Sequence, residues 1–211
     1  GFGLINGLLI TQIRMPPFIA TLGMLSVVRG LAYAVTSGYP VRTPAVYNSL
    51  GQGYIGPVPL PVVYLVILGI LFTLFLTRTV IGRRIYAIGG NEEAAAISGV
   101  RVNRVKMIVY VLAGLFAAFA GMVATARLGV AQSNAGTGYE LDVVAAVIIG
   151  GASLAGGRGT VVGAILGAAI MGVIRNGLVL LNVSAYWQQA VIGLVIITAI
   201  AADQLRQRKR G

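Results

Sequence analysis

The sequence predicts an all-α fold, a polytopic transmembrane helical bundle, and three observations support it. Hydrophobic residues make up 57% of the 211 residues and charged residues only 10%, against about 45–50% and about 25% in soluble proteins. Long stretches, such as 43–77 and 176–202, carry no charge at all. The 30 glycines suit helices that pack closely in lipid. So few charges leave too little polar surface for a soluble domain.

The residues that are missing exclude several kinds of chemistry. The chain has no Cys and no His, so it lacks thiolates, the commonest metal ligand and the commonest general base. Neither Lys106 nor Lys209 lies in a P-loop motif, so ATP hydrolysis by this chain is not expected. The G-x-G-x-x-G at Gly51–Gly56 precedes a proline-rich stretch and cannot open a helix. We therefore expect no catalytic residue, metal or cofactor.

Uncharged stretches of about 20 residues predict the membrane spans. The chain opens inside an apolar stretch, which we interpret as the tail of a further helix in an N-terminally truncated, single transmembrane domain over 1–211. About six spans follow, near 18–36, 61–77, 105–126, 139–154, 160–181 and 185–202. The fourth is short, because its 16 residues rise only roughly 24 Å against a ~30 Å hydrocarbon core. We favour a full crossing, with a re-entrant segment as the alternative.

Lysine and arginine placement predicts the orientation. One basic cluster lies in the loop at about 78–106 and another at the C-terminus, whereas the loop at 37–60 carries only Arg42. The clusters consist of Arg78, Arg83, Arg84, Arg101, Arg104 and Lys106, and of Arg206, Arg208, Lys209 and Arg210. Both clusters are expected in the cytoplasm and the loop at 37–60 on the external side, and a full fourth crossing agrees with this. The net charge of +11 thus reflects topology, and no nucleic-acid partner is expected.

A short capped helix is predicted inside the first basic loop. Asn91 suits the N-cap, Glu92 and Glu93 complement the positive helix N-terminus, and Gly99 suits a left-handed C-terminal position. A polar helix between two spans on the cytoplasmic side is a suitable docking element for a soluble partner. The alternative is an ordinary surface loop whose arginines bind anionic lipid headgroups.

A second helix start is predicted at 137–140, where Thr137 and Glu140 have the spacing of a capping box. Glu140 and Asp142 would then lie in the first turn of a helix that enters from the external face. One interpretation places them at the entrance for a polar solute. The other is that they only cap the helix.

Charged and polar residues within apolar stretches are the remaining site candidates. Arg29 and Arg175 interrupt predicted spans, and intramembrane charges are often functional. Asn176 adjoins Arg175, and Ser153 lies between two glycine pairs where a helix should bend. The candidate pathway or gate residues are Arg29, Glu140, Asp142, Ser153, Arg175 and Asn176. The alternatives are snorkelling of the arginines and plain helix packing.

Several stretches together resemble one protein family over essentially the whole chain. They are Pro16–Gly23, Ala87–Ala95 with Ser98–Gly99, Gly136–Asp142, Ile149–Thr160, Asn176–Leu178 and Trp187–Gln189. In this pattern the chain resembles the permease subunits of bacterial ABC importers for monosaccharides, of the ribose/xylose/arabinose type.

This resemblance implies partners and a site. Such permeases form a dimeric pathway in the inner membrane, as a homodimer or a heterodimer of paralogues. A periplasmic sugar-binding protein delivers the solute, and a cytoplasmic ATPase docks on the loop around 89–99. Carried over to this chain, the ATPase-coupling residues are Gly89, Asn91, Glu92, Glu93, Ala94, Ser98 and Gly99.

Other functions stay open at this point. One is a related permease for branched-chain amino acids or another small polar solute. Another is a self-contained secondary transporter or channel, which usually holds ionisable groups near the membrane midplane. The predicted spans place the acids at helix ends, which disfavours the latter.

Overall fold

The computed structural model describes the backbone of residues 1–208 and the side chains of residues 1–184 and 186–201. Within this part of the chain helices dominate, and the predicted all-α class is confirmed. The helices are α1 (Phe2–Thr11), α2 (Pro17–Thr36), α3 (Ala45–Gln52), α4 (Leu60–Arg78), α5 (Val80–Gly90), α6 (Glu92–Ile97), α7 (Val102–Leu128), α8 (Tyr139–Ile149), α9 (Val161–Leu180) and α10 (Ala185–Arg208). Four two-residue strands complete the fold: β1 (Val41–Arg42), β2 (Tyr54–Ile55), β3 (Val58–Pro59) and β4 (Val130–Ala131).

Four helices of the described chain are long and apolar enough to cross a membrane: α2, α4, α7 and α9. Each coincides with a predicted span. Helix α10 is apolar over Tyr186–Ala201 and α1 over its whole length, but both apolar stretches are shorter. The predicted break between the last two spans is also present. There Asn182 adopts φ 54° and the amide of Val183 donates to the carbonyl of Leu178, a left-handed ending of α9.

The fourth predicted span is wrong in length. Helix α8 has 11 residues and rises about 16 Å, so it does not cross the membrane by itself. It ends at Ile149 because Gly151 adopts φ 88° and the amide of Ala152 donates to the carbonyl of Val147. This is a Schellman ending, which favours glycine. Residues 150–160 continue as a non-helical loop.

The capping box predicted at 137–140 is also wrong. Helix α8 begins at Tyr139 and its N-cap is Gly138, with no side-chain capping hydrogen bond. Glu140 is therefore the second helical residue, one position short of the box. Glu140 and Asp142 do lie in the first turn, where their charge favours the positive end of the helix.

Two helices were not predicted. Helix α3 lies in the loop expected at 37–60, and it packs against α7 at Gly51, where a Cβ would meet the backbone of Ala126. Helix α5 occupies the first half of the basic loop, capped by Thr79, whose Oγ1 accepts from the amide of Gly82 at 3.0 Å. Both are amphipathic helices, but they are short, so a search for uncharged stretches of about 20 residues does not detect them.

The chain forms two compact units. The first contains residues 1–68 and 99–135. In it α1 packs closely on α7, because a Cβ at Gly3 would lie 2.5 Å from the carbonyl oxygen of Tyr110. Strand β1 pairs antiparallel with β4, and β2 pairs antiparallel with β3. The predicted single domain and its N-terminal truncation stay predictions.

The second unit contains residues 69–98 and 136–211. Its described core consists of Ala145 and Ala146 of α8, Met171 of α9 and Ile192 of α10. Glycines bring α8 and α9 together, since a Cβ at Gly167 would overlap the carbonyl of Ala146. Across the chain most large apolar side chains point outward, as expected where lipid is the solvent.

The predicted cytoplasmic C-terminus was based on Arg206, Arg208, Lys209 and Arg210. Residues 209 and 210, and the side chains of 206 and 208, lie outside the described part of the chain. The orientation therefore stays a prediction.

Close packing of α8 on α9 gives a stability prediction. The substitution Gly167→Val should lower the free energy of unfolding by about 1–3 kcal/mol, because the added side chain overpacks the contact with Ala146. The measurement is the apparent thermal midpoint in detergent. Gly172→Val is the matched control on the same helix, since a Cβ there meets nothing within 4 Å. Equal midpoints for the two variants would contradict the packing assignment.

Candidate functional sites

The first candidate site is the corner between α5 and α6. Asn91 forms hydrogen bonds with both helices. Its backbone amide donates to the carbonyl of Ala87 at 3.0 Å, and its side-chain Oδ1 accepts from the backbone amide of Ala94 at 2.9 Å. Helix α6 then ends at Ser98, followed by Gly99 with φ 82°. The capped helix predicted from the sequence is confirmed in its start, its acidic first turn and its end.

Most of α6 faces away from the protein. Only Ala95 is buried, whereas Glu92 and Glu93 are exposed. Ile97 is 89% exposed, which is costly for a large apolar side chain in water. An acidic edge beside an exposed apolar side chain is a surface suited to a protein partner. Sequence reasoning missed Ile97, because it reads as the ordinary end of an apolar run.

The other coupling residues predicted here have internal roles. Ala94 supplies its amide to Asn91, and its carbonyl accepts from the hydroxyl of Ser98 at 2.8 Å. Gly89 lies in the last turn of α5 and faces the loop at Gly156 and Gly157. Thus Asn91, Ala94 and Ser98 shape α6, and Gly89 fixes the helix that precedes it.

The second candidate site is an ion pair between α8 and α9. Asp142 accepts a hydrogen bond from Nη2 of Arg175. The guanidinium carbon of Arg175 also lies 5.4 Å from the centre of the Tyr139 ring, within the range of a cation–π interaction. The side chain of Asp142 is 16% exposed and that of Arg175 is 44% exposed. Sequence reasoning selected both charged residues but not their pairing or Tyr139.

The register of α8 against α9 places this ion pair beside the middle of α9. Gly150 packs against Gly163, and Ala146 against Gly167, so α8 runs antiparallel to α9. One turn before Ala146 in α8, the same register places Asp142 level with Met171. Met171 lies about 15 Å from the N-terminus of the 20-residue α9. Arg175 reaches back by one turn to meet it, as helical side chains lean toward the N-terminus.

In this register α8 starts within the length of α9. The expected position of Glu140 and Asp142 at the external face stays a prediction. The non-helical residues 136–138 are level with the last third of α9, roughly 21 Å or more along it. Irregular backbone at membrane depth is tolerated only inside protein or along a water-filled cavity.

The remaining candidates do not join the pair. Glu140 and Asn176 are exposed neighbours of it in sequence. Ser153 lies in the loop at the opposite end of α8, where its Oγ accepts from the amide of Ala155 at 3.2 Å. Arg29 belongs to α2 of the first unit and is half-buried. Among the described residues no cluster of three metal-ligating side chains occurs.

Comparison with known proteins identifies the family. A family model described as "Branched-chain amino acid transport system / permease component" matches residues 1–200. The chain belongs to this permease family. The resemblance inferred from the sequence motifs is thereby confirmed, and the family is one of transport subunits that are not themselves enzymes. No solved structure matches the chain significantly.

Individual permeases resemble the chain over nearly its whole length. The ribose import permease protein RbsC of Bacillus subtilis is 48% identical over 94% of this chain and 63% of the relative. RbsC of Escherichia coli K12 is 45% identical over 97% and 65%. The galactose/methyl galactoside import permease protein MglC of Haemophilus influenzae is 40% identical over 99% and 64%. The chain spans less than two thirds of these relatives' length.

Neutrality of the ion pair can be tested by charge removal. Asp142→Asn or Arg175→Gln alone leaves one charge unpaired in the bilayer, at a cost of about 2.5–3.5 kcal/mol. Each single variant should lower the amount of folded permease in the membrane. The double variant should restore it, because neither charge of the pair is then left without its partner. The measurement is monodisperse permease recovered from membranes, and additive losses in the double variant would contradict pairing.

Proposed function

We propose that this permease is the membrane subunit of an ATP-binding-cassette importer for a monosaccharide. The observation that carries the proposal is 40–48% identity to ribose and galactose import permeases along nearly the whole chain. A separate cytoplasmic ATPase supplies the energy, and a periplasmic sugar-binding protein delivers the solute. The permease works in the inner membrane as a dimer, with its C-terminus in the cytoplasm.

Helix α6 is the proposed docking element for the ATPase. Its support is physical: it is capped at both ends, Ala95 is its buried residue, and it exposes Glu92, Glu93 and Ile97. In such an interface Ile97 enters an apolar pocket of the partner. The two glutamates pair with basic groups at the rim and set the orientation.

The α8–α9 pair is the proposed polar part of the pathway. Asp142 and Arg175 neutralise each other, so the pair offers hydrogen-bonding groups without net charge, which suits an uncharged hydroxylated solute. The half-exposed guanidinium of Arg175 keeps donors free to face such a solute. Glu140 and Asn176 are proposed to border this part of the pathway, and Arg29 and Ser153 to line or gate it elsewhere.

Two alternatives have specific support. The description of the matching family model favours branched-chain amino acids. The mid-helix depth of Asp142 favours an ion-coupled secondary transporter. The pair with Arg175 weakens both, because a zwitterion or a coupling ion would compete with the internal partner.

Uptake competition separates these functions. The permease is reconstituted with its ATPase and binding protein, and uptake of labelled ribose is measured. Excess unlabelled pentose should reduce the signal to background, and excess leucine should leave it unchanged. Inhibition by leucine alone would favour the amino-acid function. Uptake that needs no ATPase and stops with an ionophore would overturn the importer assignment.

Docking on α6 predicts loss of ATPase association. Ile97→Asp should weaken binding of the ATPase by at least about tenfold, since a hot-spot side chain carries about 2 kcal/mol or more. The triple variant Glu92→Lys, Glu93→Lys, Gly99→Val should abolish co-purification. The matched control is Val46→Asp in the predicted external loop. The side chain of Val46 is 86% exposed, similar to the 89% of Ile97. Unchanged association in the triple variant would contradict the docking site.

A further inference from the structure

The loop between α8 and α9 rests directly on the last turns of α5. The hydroxyl of Tyr86 donates to the carbonyl oxygen of Gly159 at 2.7 Å, and both residues are partly buried. One turn further along α5, Gly89 and Gly90 meet Gly156 and Gly157 of the loop. We call this the glycine contact.

The glycine contact joins backbone to backbone. A Cβ at Gly156 would lie 2.5 Å from the carbonyl oxygen of Gly89, and a Cβ at Gly157 would lie 2.8 Å from Cα of Gly90. Gly156 and Gly157 also adopt φ 90° and 72°, a region that side chains disfavour. No rotatable side chain therefore separates α5 from the loop, and displacement of one is passed directly to the other.

Each side of the contact leads to one of the candidate sites. On one side α5 continues into α6 through the single residue Asn91, whose hydrogen bonds fix both helices. On the other side the loop connects α8 to α9, which are clamped together by Gly150, Gly163 and Gly167. That clamped pair carries Asp142 and Arg175.

The other end of α6 offers no comparable connection. Past Ser98 the chain turns at the exposed Gly99, where a Cβ would meet nothing within 4 Å. The junction at Asn91 therefore gives a push on α6 a direct route into α5.

We propose that the glycine contact and the Tyr86–Gly159 hydrogen bond transmit movement from α6 to the α8–α9 pair. Tyr86, Gly89, Gly156 and Gly157 are thus positioning residues for transport. They bind neither the ATPase nor the solute, and they convert displacement of α6 into displacement of the ion pair. This inference rests on the proposed docking of an ATPase at α6.

The test compares two adjacent glycines of α5. Gly89→Ala places a methyl group against Gly157, whereas a Cβ at Gly90 meets nothing within 4 Å, so Gly90→Ala is the matched control. Tyr86→Phe removes only the hydrogen bond to Gly159. The permease, its ATPase and its binding protein are reconstituted in liposomes. The measurements are bound ATPase, ATP hydrolysis and ribose transported per ATP hydrolysed.

We expect Gly89→Ala and Tyr86→Phe to bind the ATPase normally and to hydrolyse ATP. Their ribose transported per ATP should fall roughly fivefold, the factor for loss of about one hydrogen bond. Gly90→Ala should match the unaltered permease in all three measurements.

Unchanged transport per ATP in Tyr86→Phe, or an equal fall in Gly90→Ala, would overturn the proposal. Loss of ATPase association would also overturn it, because the contact would then only shape the docking surface. If Gly89→Ala does not assemble, Tyr86→Phe decides alone. Failure of docking at α6 is detected separately, by the Ile97→Asp and triple variants.

Discussion

The structure depends on one constraint: inside the hydrocarbon layer, each backbone amide and carbonyl must find a partner within the protein. The long helices α2, α4, α7 and α9 meet it by their own hydrogen bonds. Helix α8 meets it only in part, because it starts within the length of α9 and ends in a loop. Its two irregular ends must be covered by protein or face water. The places where this constraint is hardest to meet are the start of α8 and the loop at 150–160, and each adjoins a candidate functional group.

Close approach by glycine compensates for the absence of a hydrophobic driving force between helices in lipid. At Gly150, Gly163 and Gly167 a Cβ would overlap backbone atoms of the neighbouring helix. The resulting contact is rigid, and it lets α8 and α9 move together. The ion pair between Asp142 and Arg175 then joins the two helices beyond the last of these glycine contacts. Packing and charge thus act at successive turns of the same interface.

The long helices could be predicted from the sequence, because the thickness of the bilayer sets the length of the gaps between charges. The caps of α6 were equally readable, since Asn91 and Gly99 act through local backbone geometry. Helices α3 and α5 were missed, because gaps between charges reveal only helices long enough to span the bilayer, whereas these two are short and amphipathic. The same holds for the pairing of Asp142 with Arg175, which needs the register of two helices. Ser153 is a candidate because glycine pairs flank it, but the structure places it at the opposite end of α8 from Asp142 and Arg175.

The single-residue junction at Asn91 has a consequence for how this segment can evolve. One residue both closes α5 and opens α6, so the junction contains no spare length. Each inserted or deleted residue would rotate α6 by about 100° about its axis. Glu92, Glu93 and Ile97 would then face a different direction. Substitutions at the surface of α6 are compatible with the junction, whereas a change in its length is not, and variation between partners must therefore come from side chains alone.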